Sequence, residues 1–276
     1  MDQKSLDKYL EQYGLSPNKI FGQNFLMDEM VFYRMIEAIN LNQDDKVVEV
    51  GPGIGNLTRI LLENSQQVLA IEKDKQFIPV LEDYKKNFSN LDYVLADVLK
   101  YDFVKHLSQQ PYKVVANIPY YVTGKIIQLF MQAQVKPQAM SLLMQKEVAQ
   151  NLTAKPGKLN LLALSVQLFA DTELIEIVPA GKFFPAPKVD SAAVAIILHK
   201  EPKYKVEDLE GLFKLWKACF AGKRKQIHNT LVNNFGLTKT QALEALEKAK
   251  ILETARPQHL TIEQWLDLQT KIKLSS

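Results

Sequence analysis

The chain has 276 residues, 47% apolar and 24% charged, with 11 Gly and 12 Pro, which fits one large or two unequal globular domains and excludes a disordered or fibrous chain. A single cysteine, Cys219, excludes an internal disulfide, the polar start MDQKSLDKYLEQYG lacks the apolar core of a secretory signal, and no apolar run approaches the ~18 residues of a membrane span; a reducing, cytoplasmic location off the membrane is expected. The net charge of +3 conceals −6 over residues 1–99, +6 over 100–158, −1 over 159–200 and +4 over 201–276, a distribution open to two readings, solvated surfaces or the footprint of a polyanion.

From Lys46 onward, β-branched runs alternate with helical patterns. KVVEVG (46–51), QVLAIE (67–72), LDYVLAD (91–97), YKVVANI (112–118), AMSLLMQ (139–145), LIEIV (174–178) and SAAVAIIL (191–198) predict seven strands. Their two-sided apolarity requires helices on both faces of the sheet. Segments such as NLTRILLEN (56–64) and GKIIQLFMQAQ (124–134) are long enough to be crossover helices, so the sheet is expected to be mostly parallel and the domain doubly wound α/β. Pro79, inside a helical pattern, predicts a helix that is kinked there or starts late.

The first strand runs into VVEVGPGIGNLT (47–58), where Gly51, Gly53 and Gly55 allow a sharp turn and the close approach of a ligand at the carboxyl end of the sheet. Glu72 ends the second strand, about 20 residues on, where a carboxylate accepts from ribose hydroxyls, and Asp97 ends the third. A dinucleotide fingerprint wants a third glycine at Asn56, and the acidic Glu49 suits a cationic ligand better than a pyrophosphate. S-adenosylmethionine, with ribose, adenine, ammonium and sulfonium but no phosphate, is favoured over a nucleotide and over a purely structural turn.

The fourth strand enters ANIPYY (116–121). Pro119 cannot continue a ladder, so the turn is expected to project Asn117 and Tyr120 into the cleft. An adenine amine is a poor nucleophile because its lone pair is delocalised; the Asn117 side-chain oxygen and the Ile118 carbonyl are suited to accept its two hydrogens and aim the lone pair at a methyl carbon. Tyr120 offers a stacking face for a flipped base, and the sulfonium is already a good leaving group, so positioning supplies most of the catalysis. In KFFPAPKVDS (182–191), one of Phe183 and Phe184 is expected to cover the other face, with the choice open.

After His199 no strand signal remains. Leu209, Leu212, Phe213, Trp216 and Phe220 form a helical stripe, Thr238 with Gln241 and Thr261 with Gln264 read as capping boxes, and Leu260 with Trp265 as a hydrophobic staple. The expected division is a catalytic domain over residues 1–200 and a small all-α domain over 201–276.

GQNFLMD (22–28), EVGPGIGNLT (49–58), Glu72, ADV (96–98), NIPY (117–120), MQKEVA (144–149), FFPAPKVDS (183–191), KRKQIHNTL (223–231) and ARPQHLTIEQW (255–265), in this order, resemble the small-subunit (16S) ribosomal RNA adenine N6,N6-dimethyltransferases. The resemblance implies a Rossmann-like class I methyltransferase fold with a seven-stranded sheet and an all-α C-terminal domain. It also implies transfer of methyl groups from S-adenosylmethionine to the N6 atoms of two adjacent adenosines in the 3′-terminal hairpin of small-subunit rRNA, by a monomer acting on pre-mature small subunits in the cytoplasm. Carried over by motif, Asn24 and Leu26 flank the cofactor, Gly51 faces its methionine portion, Glu72 takes the ribose, Asp97 the adenine amine, and Asn117 lies between cofactor and target. Ile118, Pro119, Tyr120 and one Phe would meet the base, and Lys223, Arg224 and Lys225 would meet phosphates, which positions an RNA without reading its sequence. Tyr121 stands where the family usually has Asn, Leu161-Leu162-Ala163 replaces a Tyr-Gly-Arg-like run, and Asn151 replaces a common Arg.

Alternatives are an rRNA-binding assembly or transcription factor that has lost turnover, a large-subunit rRNA adenine methyltransferase, and a nicotinamide-dependent dehydrogenase, the last disfavoured by glycine spacing. No metal site is expected: His106, His199, His228 and His259 are scattered and Cys219 has no partner at zinc spacing.

Overall fold

Seven strands, numbered in chain order, form where the β-branched runs place them: β1 (Lys46–Val50), β2 (Gln67–Glu72), β3 (Leu91–Leu95), β4 (Lys113–Asn117), β5 (Ala139–Gln145), β6 (Ala170–Val178) and β7 (Ser191–Leu198). The structure is a computed structural model that describes residues 3–18, 22–108, 110–222 and 224–272. The strands join in one sheet of order β3-β2-β1-β4-β5-β7-β6. The pairs β1–β2, β1–β4, β2–β3 and β4–β5 are parallel, and β7 returns antiparallel to β5, with Gln145 opposite Ser191. This is the expected doubly wound α/β arrangement.

The order of connection reverses between β1 and β4. Successive strands step one way from β1 to β2 and β3, and the other way to β4 and β5. At such a switch point the loops leaving the two central strands part, and a crevice opens at their carboxyl ends. Val50 and Asn117 end these strands and deliver the glycine turn and the NIPY turn to the same crevice.

Val47, Val48, Val114, Val115 and Ala116 have no exposed surface, the price of a sheet covered on both faces. Pro79 is accommodated by a late start: a 3-10 turn over Lys75–Phe77 precedes the α-helix Ile78–Asn87, which carries the proline in its first turn, where no N–H is needed. One pairing escaped the periodicity argument. Phe25–Leu26 and Phe183–Phe184 form a two-residue antiparallel ladder, with Phe25 opposite Phe184 and Leu26 opposite Phe183; two residues are too few to show alternation.

The chain divides into two compact units, Met1–Ala149 with Thr172–Leu198, and Gln150–Asp171 with His199–Ser276. The single cut expected near residue 200 therefore gives way to a discontinuous division, in which a segment between β5 and β6 joins the C-terminal helices. The reason is apolar surface: Leu159, Ala163, Leu164 and Leu168 pack in one cluster with Trp216, Cys219, Leu231, Leu246 and Trp265. The Leu161-Leu162-Ala163 departure belongs here, in the helix Leu161–Gln167 capped by Asn160. Both capping boxes form, at Thr238 with Gln241 and Thr261 with Gln264, and Leu212, Trp216 and Phe220 of the predicted stripe are buried, whereas Leu209, the first helical residue, is exposed.

Trp265 is fully buried in the helical cluster. Trp265→Ala is expected to cost about 3–5 kcal/mol, read as a lowered urea midpoint for the helical signal; an unchanged midpoint would show that this ring is not the cluster's anchor.

Candidate active site

The crevice between β1 and β4 is a cavity lined by Asn24, Leu26, Gly51, Gly53, Glu72, Asp97, Asn117, Ile118, Pro119, Tyr120 and Phe183, together with Glu49, Asp74 and Tyr121. Eleven of the sequence-predicted residues are thus brought together by the fold. Gly55 lies beneath the turn as the N-cap of the helix Asn56–Asn64 rather than on the lining. Phe184 is not on the lining and packs instead with the cluster of Leu6, Leu10 and Phe77. Of the two rings, Phe183 lines the cavity. Arg224 and Lys225 are exposed in the turn before the helix Ile227–Phe235 of the second unit, and Lys223 lies outside the described residues.

The three glycines do different work. Gly51 has φ +69°, and a β-carbon there would meet nothing within 4 Å, so its α-carbon faces open space that a ligand can enter. Gly55 has φ +80°, and a β-carbon would come within 2.4 Å of the Tyr84 ring. Asn56, where a dinucleotide fingerprint wants glycine, is buried, and its side-chain amide donates to the Leu26 carbonyl at 3.4 Å. Its bulk occupies the place where a third glycine would let helix and strand close up.

Glu72 ends β2 with its carboxylate under the turn. Oε2 accepts from Gly53 N–H at 3.0 Å, and Oε1 from Lys73 and Asp74 N–H, each at 2.7 Å. Burial raises its pKa while these three N–H groups pull it back. A carboxylate offers about four lone-pair positions, so capacity remains for a hydroxyl donor. Asp97 accepts from Leu99 N–H at 3.1 Å and pairs with Lys73 at 3.0 Å. Burial works against its charge, but Lys73 and that N–H prevail and hold its carboxyl below the usual range.

Asn117 donates through Nδ2 to the Asn24 carbonyl at 3.1 Å. That bond engages the N–H₂ end of the amide, and Asn117 lies on the cavity lining. Asn24 is steadied by its own donation to the Gly22 carbonyl at 3.1 Å. Gln23 donates to Asp74 at 2.9 Å and accepts from Asn18 N–H at 2.7 Å, which holds the loop that presents Asn24. Asp74, the partner of Gln23 across the chain, carries no motif of its own in the sequence. Tyr120 OH and Ser191 Oγ share a hydrogen bond of 2.7 Å. Burial pushes the phenol up, with Ser191 opposing, so the ring is a neutral, tethered face. Asp190 takes Lys146 at 3.2 Å and Ala180 N–H at 3.2 Å, so the MQKEVA and FFPAPKVDS segments are joined behind that face.

Glu49 was noted in the sequence only for its sign. It lines the cavity with 1% exposure, and neither carboxyl oxygen has a hydrogen-bond partner among the described residues. Burial pushes it up to about 8, helped by the Glu72 charge; the Thr58 hydroxyl pulls the other way but falls short of hydrogen-bond geometry. No group of three or more His, Cys, Asp or Glu able to hold a metal occurs among the described residues.

A family model described as ribosomal RNA adenine dimethylase matches residues 14–273. Proteins called ribosomal RNA small subunit methyltransferase A are similar along almost their whole length: that of Dehalococcoides mccartyi strain CBDB1 is 38% identical over 260 residues, 94% of this chain and 89% of that protein. The one from Lachnoclostridium phytofermentans is 38% identical over 276 residues, 97% of this chain and 95% of that protein. Among solved structures, the 23S rRNA methyltransferase ErmE superposes with a TM-score of 0.76 at 28% identity, covering 92% of this chain and 100% of that chain. A dimethyladenosine transferase from Plasmodium falciparum gives 0.76 at 24% identity, covering 88% and 95%, a likeness of fold.

Gly55→Ala combines left-handed backbone strain of ~1–2 kcal/mol with the approach to Tyr84, whereas Gly51→Ala carries the strain alone. The urea midpoint is therefore expected to fall further for Gly55→Ala; equal midpoints would contradict the packing assigned to that glycine.

Proposed function

The chain belongs to the ribosomal RNA adenine dimethylase family, and we propose that the Asn117 amide, fixed by the Asn24 carbonyl, is where it performs that family's chemistry. It is an S-adenosylmethionine-dependent methyltransferase, and its substrate is small-subunit rRNA, in which two adjacent adenosines of the 3′-terminal hairpin become N6,N6-dimethyladenosine. The relatives at 38% identity carry the small-subunit name, which favours this substrate over the large-subunit one; the ErmE likeness reflects a shared scaffold.

The residues of the cavity fit S-adenosylmethionine on three counts. Glu72 keeps acceptor capacity for a ribose hydroxyl after its three N–H bonds. Gly51 leaves open the space that the methionine portion needs, and Asp97, two residues past the end of β3, is held as an anionic acceptor for the adenine amine. Asn24, Leu26 and Gly53 shape the walls around it, and Gly55 starts the helix that carries the turn. When bound, the cofactor supplies an electrophilic methyl on a sulfonium leaving group.

The protein's part is positioning. The free oxygen of Asn117 accepts one hydrogen of the target amine, and the Ile118 carbonyl is assigned the other. With both hydrogens held, the nitrogen is drawn towards tetrahedral geometry and its lone pair is aimed, the entropic contribution that orientation makes to a bimolecular transfer. Tyr120 and Phe183 offer the two faces between which a flipped base stacks, and Pro119 fixes the backbone between them. The tethered, neutral Tyr120 hydroxyl is not a base, so the proton leaves to solvent after transfer. The observation that carries this reading is the 3.1 Å donation from Asn117 to Asn24, which supports the acceptor end of the amide as the one that meets the substrate.

Every residue of this cavity lies within one unit of one chain, which supports a monomer, and the rRNA substrate supports action in the cytoplasm on pre-mature small subunits. No helix among the described residues is long and apolar enough to cross a membrane. Lys223, Arg224 and Lys225 are assigned to phosphates of the RNA.

The decisive assay is transfer of labelled methyl groups to small subunits lacking the modification, with the modified nucleotides mapped; subunit binding without transfer would leave an assembly factor instead. Asn117→Ala is expected to lower methyl transfer roughly 10²-fold or more while S-adenosylmethionine affinity, by calorimetry, changes little. Glu72→Ala reverses the pattern, weakening the cofactor by about 1.5–3 kcal/mol; equal effects in both assays from both variants would undo the division of roles. Arg224→Ala with Lys225→Ala is expected to flatten the salt dependence of subunit binding by about one unit of slope per lost phosphate contact, and an unchanged slope would return these side chains to a solvated face.

A further inference from the structure

The cavity holds four acidic side chains, and three are already satisfied. Glu72 accepts three backbone N–H groups. Asp97 is paired with Lys73 and takes the Leu99 N–H. Asp74 accepts the side-chain amides of Gln23 and Gln76. Glu49 alone has neither donor nor solvent: it is 1% exposed, and both oxygens lack a partner among the described residues. An unpaired carboxylate in that position is so costly that the group neutralises instead.

The groups facing Glu49 do not change this. From β2 the Glu72 charge opposes ionisation, and from the helix Asn56–Asn64 Thr58 gives only a weak dipole. Tyr84, on the helix Ile78–Asn87, is itself pushed up by burial and by the Glu49 charge. The one cation on the lining among the described residues, Lys73, is engaged by Asp97. What is missing around Glu49 is a positive charge, and the ligand assigned to this cavity brings two.

We propose that Glu49 is a proton-coupled recognition residue: it is a neutral acid in the empty site and gives its proton to solvent when S-adenosylmethionine is held, so that cofactor affinity rises with pH. The inference rests on the S-adenosylmethionine reading of the cavity. Only one bond changes, the carboxyl O–H, whose proton goes to the buffer; the carboxylate left behind faces the cationic ligand. The sign follows from linkage. Burial holds the empty-site group up at about 8, and a cation beside it lowers that value, so protons are released on binding wherever the pH lies below the empty-site value. Release is close to one proton near pH 7 and fades above pH 9, and the dissociation constant rises by roughly tenfold for each unit of pH below that range.

The test is calorimetric titration of the full chain with S-adenosylmethionine at pH 7 in buffers of different ionisation enthalpy, where the slope of observed heat against that enthalpy counts protons. Wild type is expected to release about one, and Glu49→Gln, which preserves shape, close to none while still binding. Glu49→Met serves as a second neutral variant, and circular dichroism confirms folding of each. Binding by wild type with no proton release at pH 7, or undiminished release from a folded Glu49→Gln, overturns the proposal; the latter would move the proton to Glu72. Absence of S-adenosylmethionine binding by wild type would instead remove the cofactor reading, and this inference with it.

Discussion

An amide side chain has a donor end and an acceptor end of nearly equal size, and the chemistry assigned to this cavity depends on which end faces inward. The hydrogen bond from Asn117 Nδ2 to the Asn24 carbonyl engages the donor end, and much of the surrounding structure bears on holding its two partners. Asn117 is held by its parallel pairing with Leu143 of β5 and by the proline two residues on. Asn24 is held by a loop with no regular structure, and its position comes from Gln23 on Asp74, from its own amide on Gly22, and from the ladder that pairs Phe25–Leu26 with Phe183–Phe184. Two segments far apart in sequence thus meet so that one carbonyl can orient one amide.

Electrostatics follow the same economy. The acidic groups of the first unit do not repel one another into instability because each of Glu72, Asp74 and Asp97 is supplied with backbone N–H groups, amides or a lysine. That leaves the negative character of the crevice available to a cationic ligand without an unpaired charge in its absence, Glu49 being the exception that burial neutralises. Satisfied acceptors with capacity left over and one unsatisfied acid are different instruments: the former fix orientation, whereas the latter responds to charge.

The second unit shows how a departure from family pattern can be structural. Leu161-Leu162-Ala163 stands where a polar run is usual, and these residues begin a helix whose Ala163 and Leu164 are fully buried in the cluster around Trp216 and Trp265. Tyr121 is different. It lies on the cavity wall with 61% of its surface exposed, its ring beside Gly22, so the ring that replaces the usual Asn adds exposed aromatic surface to that wall. Neither change reaches the reacting end of the site.

Length, composition and alternating patterns bounded the chain as globular, and two-sided apolar runs dictated a covered, mostly parallel sheet because each strand's burial is written in its own residues. The motifs fixed Gly51, Glu72, Asp97 and Asn117 as a set, since a turn residue, a strand-ending carboxylate and a proline each act locally. The opening charge arithmetic likewise located acid and base along the chain, although it said nothing of which acids share a cavity. Tertiary structure alone decided that Phe183 and not Phe184 faces the site, that residues 150–171 belong with the helices, and that Glu49 is left without a partner. Those outcomes depend on segments separated by many residues competing for the same contacts, and no local period records the result of that competition.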